Sequence, residues 1–214
     1  MTYNPRIHHR RSIRLRRHDY GGGGAYFVTC CVEGKECLFG RVMEATMLIN
    51  ECGQLVQRAW AAIPHRFPSV ILDAFQVMPN HWHGILVIPG PGLDPSLAAA
   101  AGALVIQPVG LALGPAKAAA CRAGACPGQN NRPSLGDVVG AFKSISTIAV
   151  NRWLSRTGRR FLQEDYFEHV IRNVDSLVKI RDYIRTNPAR WLEDPENPGR
   201  PPGTELVNEW DWLT

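Results

Sequence analysis

Two apolar runs, Val70 to Val77 and Trp82 to Ile88, stand on either side of Met78-Pro79-Asn80-His81. Proline presets its own φ and asparagine bonds its own backbone, so both favour a turn at this break. Short strand-like runs joined by so short a turn pair as an antiparallel hairpin. The hairpin carries His81 and His83 at the start of its second strand, which ties the fold to the residues with the most evident chemistry.

Around the hairpin, periodicity supplies the other elements. Ala25-Tyr-Phe-Val-Thr-Cys-Cys-Val32 is aromatic and β-branched and follows Gly21-Gly-Gly-Gly24, so it reads as a first strand. From about Glu44 to Ile63, Leu48, Cys52, Leu55, Val56, Ala59 and Ile63 recur at helical spacing and stop before Pro64. Residues 89–133 are dominated by Ala, Gly and Pro, the composition of an inserted mobile loop, although Leu97 to Ile106 could form a short helix. Ser134 and Asp137 resemble a capping box, and Leu135, Val138, Val139, Phe142, Ile145, Ala149 and Trp153 continue as a second helix. Phe161 to Ile171 reads as a fourth strand that ends irregularly. Asn173 can then cap a third helix running to Asn187, stopped by Pro188.

Strand, helix, strand, strand, helix, strand, helix implies an α+β fold. The expected form is a ferredoxin-like or RRM-like four-stranded antiparallel sheet with helices on one face, plus a third helix carrying catalytic residues. The 214 residues suit one domain. We expect a basic arm at 1–20, a catalytic domain at 21–192 interrupted by the 89–133 insertion, and an acidic, Pro-rich tail at 193–214.

Charge is distributed unevenly. Residues 1–18 carry six arginines and no acid; residues 132–190 carry eleven basic and six acidic residues; residues 191–214 carry one basic and six acidic residues. A basic arm together with a basic core segment points to a polyanion partner. No apolar run is long enough for a membrane span and the arm lacks a secretory apolar segment, so a cytoplasmic protein is expected. Of six cysteines, Cys30, Cys31 and Cys52 fall in apolar patterns, as buried free thiols do, while Cys121 and Cys126 lack the partners of a zinc site.

On a strand, positions i and i+2 share a face, so His81 and His83 can aim both imidazoles at one point while Trp82 faces away. With oxygen ligands added, such a pair can hold Mg²⁺ or Mn²⁺ beside a phosphate. The same spacing also suits an ordinary polar pair near a turn. Tyr183 and Asn187 lie one turn apart on the third helix, where an amide oxygen could complete a metal site and a phenol could attack a phosphate. Equally, Tyr183 could pack beside Leu177, Ile180 and Ile184, with Asn187 a plain helix end. Arg172, Lys179, Arg181, Arg185 and Arg190 surround this helix, Arg14, Arg16 and Arg17 lie on the arm, and all are candidates for phosphate contacts. Tyr26, Phe27 and Tyr166 could stack on bases, but their strand patterns suit core packing. His65 and His169 lack partners at ligand spacing.

Val77-Met-Pro-Asn-His-Trp-His-Gly-Ile-Leu-Val87 resembles the histidine motif of single-tyrosine (HUH-type) insertion-sequence transposases. Tyr166-Phe-Glu-His-Val-Ile-Arg-Asn173 and Ile180-Arg-Asp-Tyr-Ile-Arg-Thr-Asn-Pro188 resemble the REP-associated tyrosine transposases, a likeness spanning about residues 14 to 192 apart from the insertion. The resemblance implies a divalent ion held by His81, His83 and Asn187, with Tyr183 as nucleophile. It further implies cleavage of single-stranded DNA at hairpins of repetitive extragenic palindromes, leaving a 5′-phosphotyrosine and a free 3′-hydroxyl, by a monomer or homodimer. The insertion lies outside the family's core pattern, and Asn187 replaces the Gln ligand of mobile relatives. The same sheet and basic arm would also serve a noncatalytic single-strand-binding module.

Overall fold

The computed structural model describes residues 20–101 and 132–201. The strands are β1 (Gly24–Cys31), β2 (Gly40–Met43), β3 (Thr46–Ile49), β4 (Ile71–Val77), β5 (His81–Ile88) and β6 (Phe167–Ile171). The helices are α1 (Glu51–Ala61), α2 (Ile63–Arg66), α3 (Pro95–Ala100), α4 (Leu135–Trp153) and α5 (Val174–Thr186). The main sheet has the order β4-β5-β1-β6 with every pair antiparallel, the ferredoxin-like arrangement.

The two central strands are buried on both sides. Tyr26, Val28 and Cys30 of β1 join Trp82 and Leu86 of β5 in a core covered by α1 and α4. The alternate residues, Ala25 and Phe27 with Ile85 and Val87, join a second core covered by α3 and α5. A strand with a helix layer on each face reads as a continuous apolar run rather than an alternating one, which explains Gly84-Ile-Leu-Val-Ile88.

Glycine shapes the sheet at two points. Gly23 has φ +87, and a Cβ there would lie 2.7 Å from the Gly90 backbone, so the glycine run before β1 crosses the start of the insertion at close range. The Gly92 N–H donates to Gly22 O at 2.9 Å across the same crossing. Gly84 admits the edge of Trp60, which stacks on Phe75 with centroids 4.5 Å apart and tilts against Trp82 at 5.4 Å.

Two sequence expectations need correction. The first helix begins at Glu51, capped by Asn50 accepting from Gly53 N, and not at Glu44. Residues 40–49 instead form the β2–β3 hairpin, whose turn places Glu44 and Ala45 in the left-handed region at φ 48 and 60. Leu48 matched the helical spacing by coincidence and is 45% exposed. The helix does stop before Pro64, at Ala61, and the short α2 follows, with Pro64 in its first turn, where a missing N–H costs nothing. The last strand covers only Phe167–Ile171. Phe161 and Leu162 are buried off the sheet, with Leu162 bridging Val32.

Other expectations hold. The Ser134–Asp137 capping box opens α4, and Asn173 caps α5 by accepting from Ser176 N. Of the short helix expected over Leu97 to Ile106, α3 covers Leu97 to Ala100 and starts earlier, at Pro95, with Leu97 buried in the second core; residues 102–106 lie outside the described residues. The rest of the insertion, including Cys121 and Cys126, lies outside the described residues. Cys30 and Cys52 are buried free thiols, Cys31 is half-buried and Cys37 is exposed. Among the described residues no helix is long and apolar enough to cross a membrane.

The aromatic stack over Gly84 makes a simple prediction. A Cβ at that position would fall 2.5 Å from the Trp60 ring and 3.1 Å from Phe75, with a strand backbone on the other side. Gly84→Ala should therefore cost about 1–3 kcal/mol, read as a lower urea midpoint at unchanged m-value.

Candidate active site

The β1–β5 register sets the site. Thr29 pairs with His83 and Cys31 with His81, and the side chains of Thr29, His81 and His83 all emerge on the α5 face. Both imidazoles are buried, at 1% and 2% exposure. Their Nε2 atoms approach to 3.0 Å, so they share one point in space, as their spacing predicts. They sit at the end of an interior strand beneath protein rather than on an open sheet edge.

A hydrogen-bond network fixes which nitrogen is available. The Asn80 amide donates to the carbonyls of Lys35 and Glu196, at 3.1 and 2.6 Å, which leaves its oxygen to accept from His81 Nδ1 at 3.0 Å. His81 Nε2 must then carry a lone pair. That lone pair faces His83 Nε2 and, at 3.6 Å, the buried carboxylate oxygen Asp194 Oδ2. Acceptors converging this way require a proton or a cation between them. With a proton there, His83 Nε2 donates to His81 and the Thr29 hydroxyl, 2.7 Å from His83 Nδ1, donates to that nitrogen. With a cation there, His83 Nδ1 can donate to Thr29 instead, freeing both Nε2 lone pairs.

Burial keeps both rings neutral. It pushes His81 down to about 3, with the Lys35 charge adding to the effect, and it holds His83 well below the usual histidine range, with His81 adding to that. Neutral imidazoles are the metal-binding form.

Tyr183 faces this pair from α5. Its ring meets His83 edge-on at 5.3 Å between centroids and Phe27 at 6.0 Å, and Phe27 in turn stacks on His83 at 5.6 Å. Asn187, one turn further along, is 1% exposed, and its Oδ1 has no hydrogen-bond partner among the described residues. An orphaned buried carbonyl oxygen one helical turn past the tyrosine that meets His83, taken with the two imidazoles, makes a donor set of a type suited to a hard divalent ion. Among the described residues no three His, Cys, Asp or Glu side chains form a group that could hold a metal ion.

The basic candidates divide by geometry. Arg172, Lys179 and Arg190 are exposed, and Arg185 is exposed but paired with Asp182 at 2.6 Å. Arg181 points inward. It grips Asp73 through Nε and Nη2 at 2.7 and 2.6 Å and donates to Ala100 O at 2.8 Å, tying α5 to β4 and α3. Its guanidinium is committed to holding α5 in place, a role different from the phosphate contact expected of it. Arg14, Arg16 and Arg17 lie outside the described residues. Tyr26 and Phe27 are core residues at 0% exposure.

Sequence reasoning missed Asp194, Asn80 and Thr29. Asp194 lies in a stretch whose composition reads as a tail, yet residues 191–197 fold against the site, with Trp191 6.1 Å from His81 and Lys35 Nζ donating to Pro195 O at 2.7 Å. Only Asn80 carried a signal, its adjacency to His81.

No family model matches the chain. A protein of Haemophilus influenzae described as uncharacterized is 36% identical over 194 residues, covering 90% of this chain and 95% of that one. The chain belongs to that protein's family. The structure is also similar to that of a REP-associated tyrosine transposase bound to a REP hairpin, at a TM-score of 0.50 and 18% identity over 83% of this chain and 73% of the other. At that identity the likeness establishes a shared fold.

The buried imidazoles should leave a mark on stability. Unfolded, each histidine protonates near pH 6.5; folded, each stays neutral far below it. Below about pH 6.5 the unfolded state therefore binds more protons, and the metal-free fold loses up to about 1.4 kcal/mol per pH unit for each ring as pH falls. Urea titrations from about pH 7.5 to about 5 should show this slope, and His81→Gln/His83→Gln should flatten it.

Proposed function

We propose that this chain is a DNA strand transferase of the single-tyrosine transposase type, cleaving and rejoining single-stranded DNA through Tyr183. One observation carries the reading: a phenol set edge-on against a buried, neutral imidazole pair on one face of the sheet. A tyrosine packed for structure alone would not require two polar rings beneath it, stripped of water and neutralised. The shared fold with a transposase bound to a REP hairpin supports the same reading, and the basic helix surface provides a footing for phosphates.

His81, His83 and Asn187 would hold Mg²⁺ or Mn²⁺, with the Asp194 carboxylate adding negative charge that favours a cation at the imidazoles. When bound, the ion would polarise the scissile phosphate. The remaining work falls to the protein. Asn80 and Thr29 orient the two rings, and Arg181 anchors α5 so that Tyr183 is held over the site. The Tyr183 oxygen attacks phosphorus, forming a phosphotyrosine bond to the 5′ side of the break while the 3′ oxygen leaves and takes up a proton. Attack by a 3′-hydroxyl on that bond releases the tyrosine and rejoins the strand. Phenolate is a moderate leaving group, so the link conserves the energy of the broken DNA bond. Arg172, Lys179 and Arg190 would contact the backbone.

The test is a labelled hairpin oligonucleotide incubated with the protein and Mn²⁺ and run on a denaturing gel. The expected result is a covalent band that vanishes in Tyr183→Phe and with EDTA, and that falls by about 10²-fold or more in His81→Ala. Cleavage without an adduct would mean hydrolysis by water. DNA binding that Tyr183→Phe leaves intact, with no cleavage by either protein, would mean a noncatalytic binding module.

A further inference from the structure

Lys35 ends the 3₁₀ turn Glu33–Lys35 that follows β1. Its φ is 58, directly after Gly34 at φ 66, so two left-handed residues stand in succession. Glycine takes that conformation freely, whereas a residue with a Cβ is strained in it. Such strain persists only where the surroundings over-determine the residue.

Lys35 is held from three sides. Its N–H donates to Val32 O at 3.2 Å, and its carbonyl accepts from the Asn80 amide at 3.1 Å. Its ammonium donates to Pro195 O at 2.7 Å and lies 3.6 Å from Glu196 Oε2, an oxygen with no hydrogen-bond partner among the described residues. Two backbone bonds, Val32 N–H to Asn80 O at 2.7 Å and Phe39 N–H to Pro79 O at 2.9 Å, lay this stretch of chain against the turn before β5.

Both acceptors of the Asn80 amide therefore depend on one residue. The first is Lys35 O itself. The second, Glu196 O at 2.6 Å, belongs to the dipeptide that the Lys35 ammonium grips. Which way the amide faces matters, because its two ends are alike in shape and opposite in hydrogen bonding. With both carbonyls in place its N–H₂ is used up, Oδ1 accepts from His81 Nδ1, and the His81 proton stays on Nδ1. Turned over, the amide would offer N–H₂ to Nδ1 and send the ring proton to Nε2. That would remove the lone pair facing His83 and Asp194.

We propose that Lys35 is a positioning residue for His81, acting through Asn80. Its carbonyl and its ammonium together lock the amide in the orientation that keeps a lone pair on His81 Nε2 for a divalent ion. The inference rests on the proposed metal site for the use made of that lone pair. No local sequence signal marks the role, since Lys35 meets Asn80 across 45 residues and Pro195 across 160.

Long-range ¹H–¹⁵N NMR of the metal-free full chain, at a pH where both rings are neutral, reads the His81 tautomer, with His81→Gln assigning the signal. Calorimetric titration with Mn²⁺ reads the consequence. The wild type should carry the proton on Nδ1. Lys35→Gly keeps the carbonyl, suits the left-handed turn and removes the ammonium; it should show a population protonated on Nε2 and bind Mn²⁺ about tenfold more weakly. Lys35→Arg, which restores the cation, should recover both, and Asn80→Ala should lose at least as much as Lys35→Gly. If Lys35→Gly does not fold, Lys35→Met, which also lacks the ammonium, must show the same shift. A wild type protonated on Nε2, a tautomer unchanged without the ammonium, or a loss that Lys35→Arg leaves unrepaired overturns the proposal. Neither readout needs DNA. A wild type with the expected tautomer and Mn²⁺ binding but no Tyr183 adduct removes the strand-transferase reading and leaves this one standing, while an adduct formed by a protein protonated on Nε2 does the reverse.

Discussion

The eight-residue antiparallel pairing of β1 with β5 is the constraint on which the rest depends. A slip of one residue would exchange the faces of every side chain on β5, sending Trp82 to the α5 side and the imidazoles into the aromatic core under α1 and α4. Burial on both faces prevents that slip. Trp82 fits between Trp60, Phe75 and Phe142 on one side, while Ile85 and Val87 fill the other. Hydrophobic packing on both faces of β5 thus determines where two histidines point.

The same burial sets the electrostatics. Histidines at the end of an exposed hairpin would titrate near neutrality and spend part of their time charged. Here α5, the 3₁₀ turn Asn187–Arg190 that follows it and the segment around Asp194 exclude water, and the rings stay neutral. Neutrality creates its own demand, because two lone-pair nitrogens and a carboxylate oxygen crowd one region with acceptors. The Asn80 amide, pinned by two carbonyls, and the Thr29 hydroxyl, able to donate or accept, meet that demand without moving a ring.

Helix α5 is held by polar and apolar ties together. Leu177, Ile180 and Ile184 bury its inner stripe, and Arg181, on an adjacent face, reaches a β-bulge between Leu72 and Phe75 where Asp73 turns inward. Because Arg181 also holds Ala100 O, the first part of the insertion is built into the same cluster as Tyr183. Arginines that look alike in sequence therefore divide into one that positions a helix and several that face solvent.

Local sequence determined the elements whose signals are local. Gly, Pro and Asn at breaks, the Ser134–Asp137 box, the Asn173 cap and the His-x-His spacing each act within a turn or two of chain, so the main strands, the starts of α4 and α5 and the shared face of His81 and His83 were legible. The β2–β3 hairpin was not, because a non-glycine turn at Glu44-Ala45 carries no composition signal and a few apolar residues fit either period. Asp194, Thr29 and the ion pair of Arg181 were not legible either. Each meets its partner across a sequence separation of 54 residues or more, from Thr29–His83 upward. Sequence alone set which side chains share a face; which faces meet, and how dry they become, is a property of packing that only the tertiary structure decided.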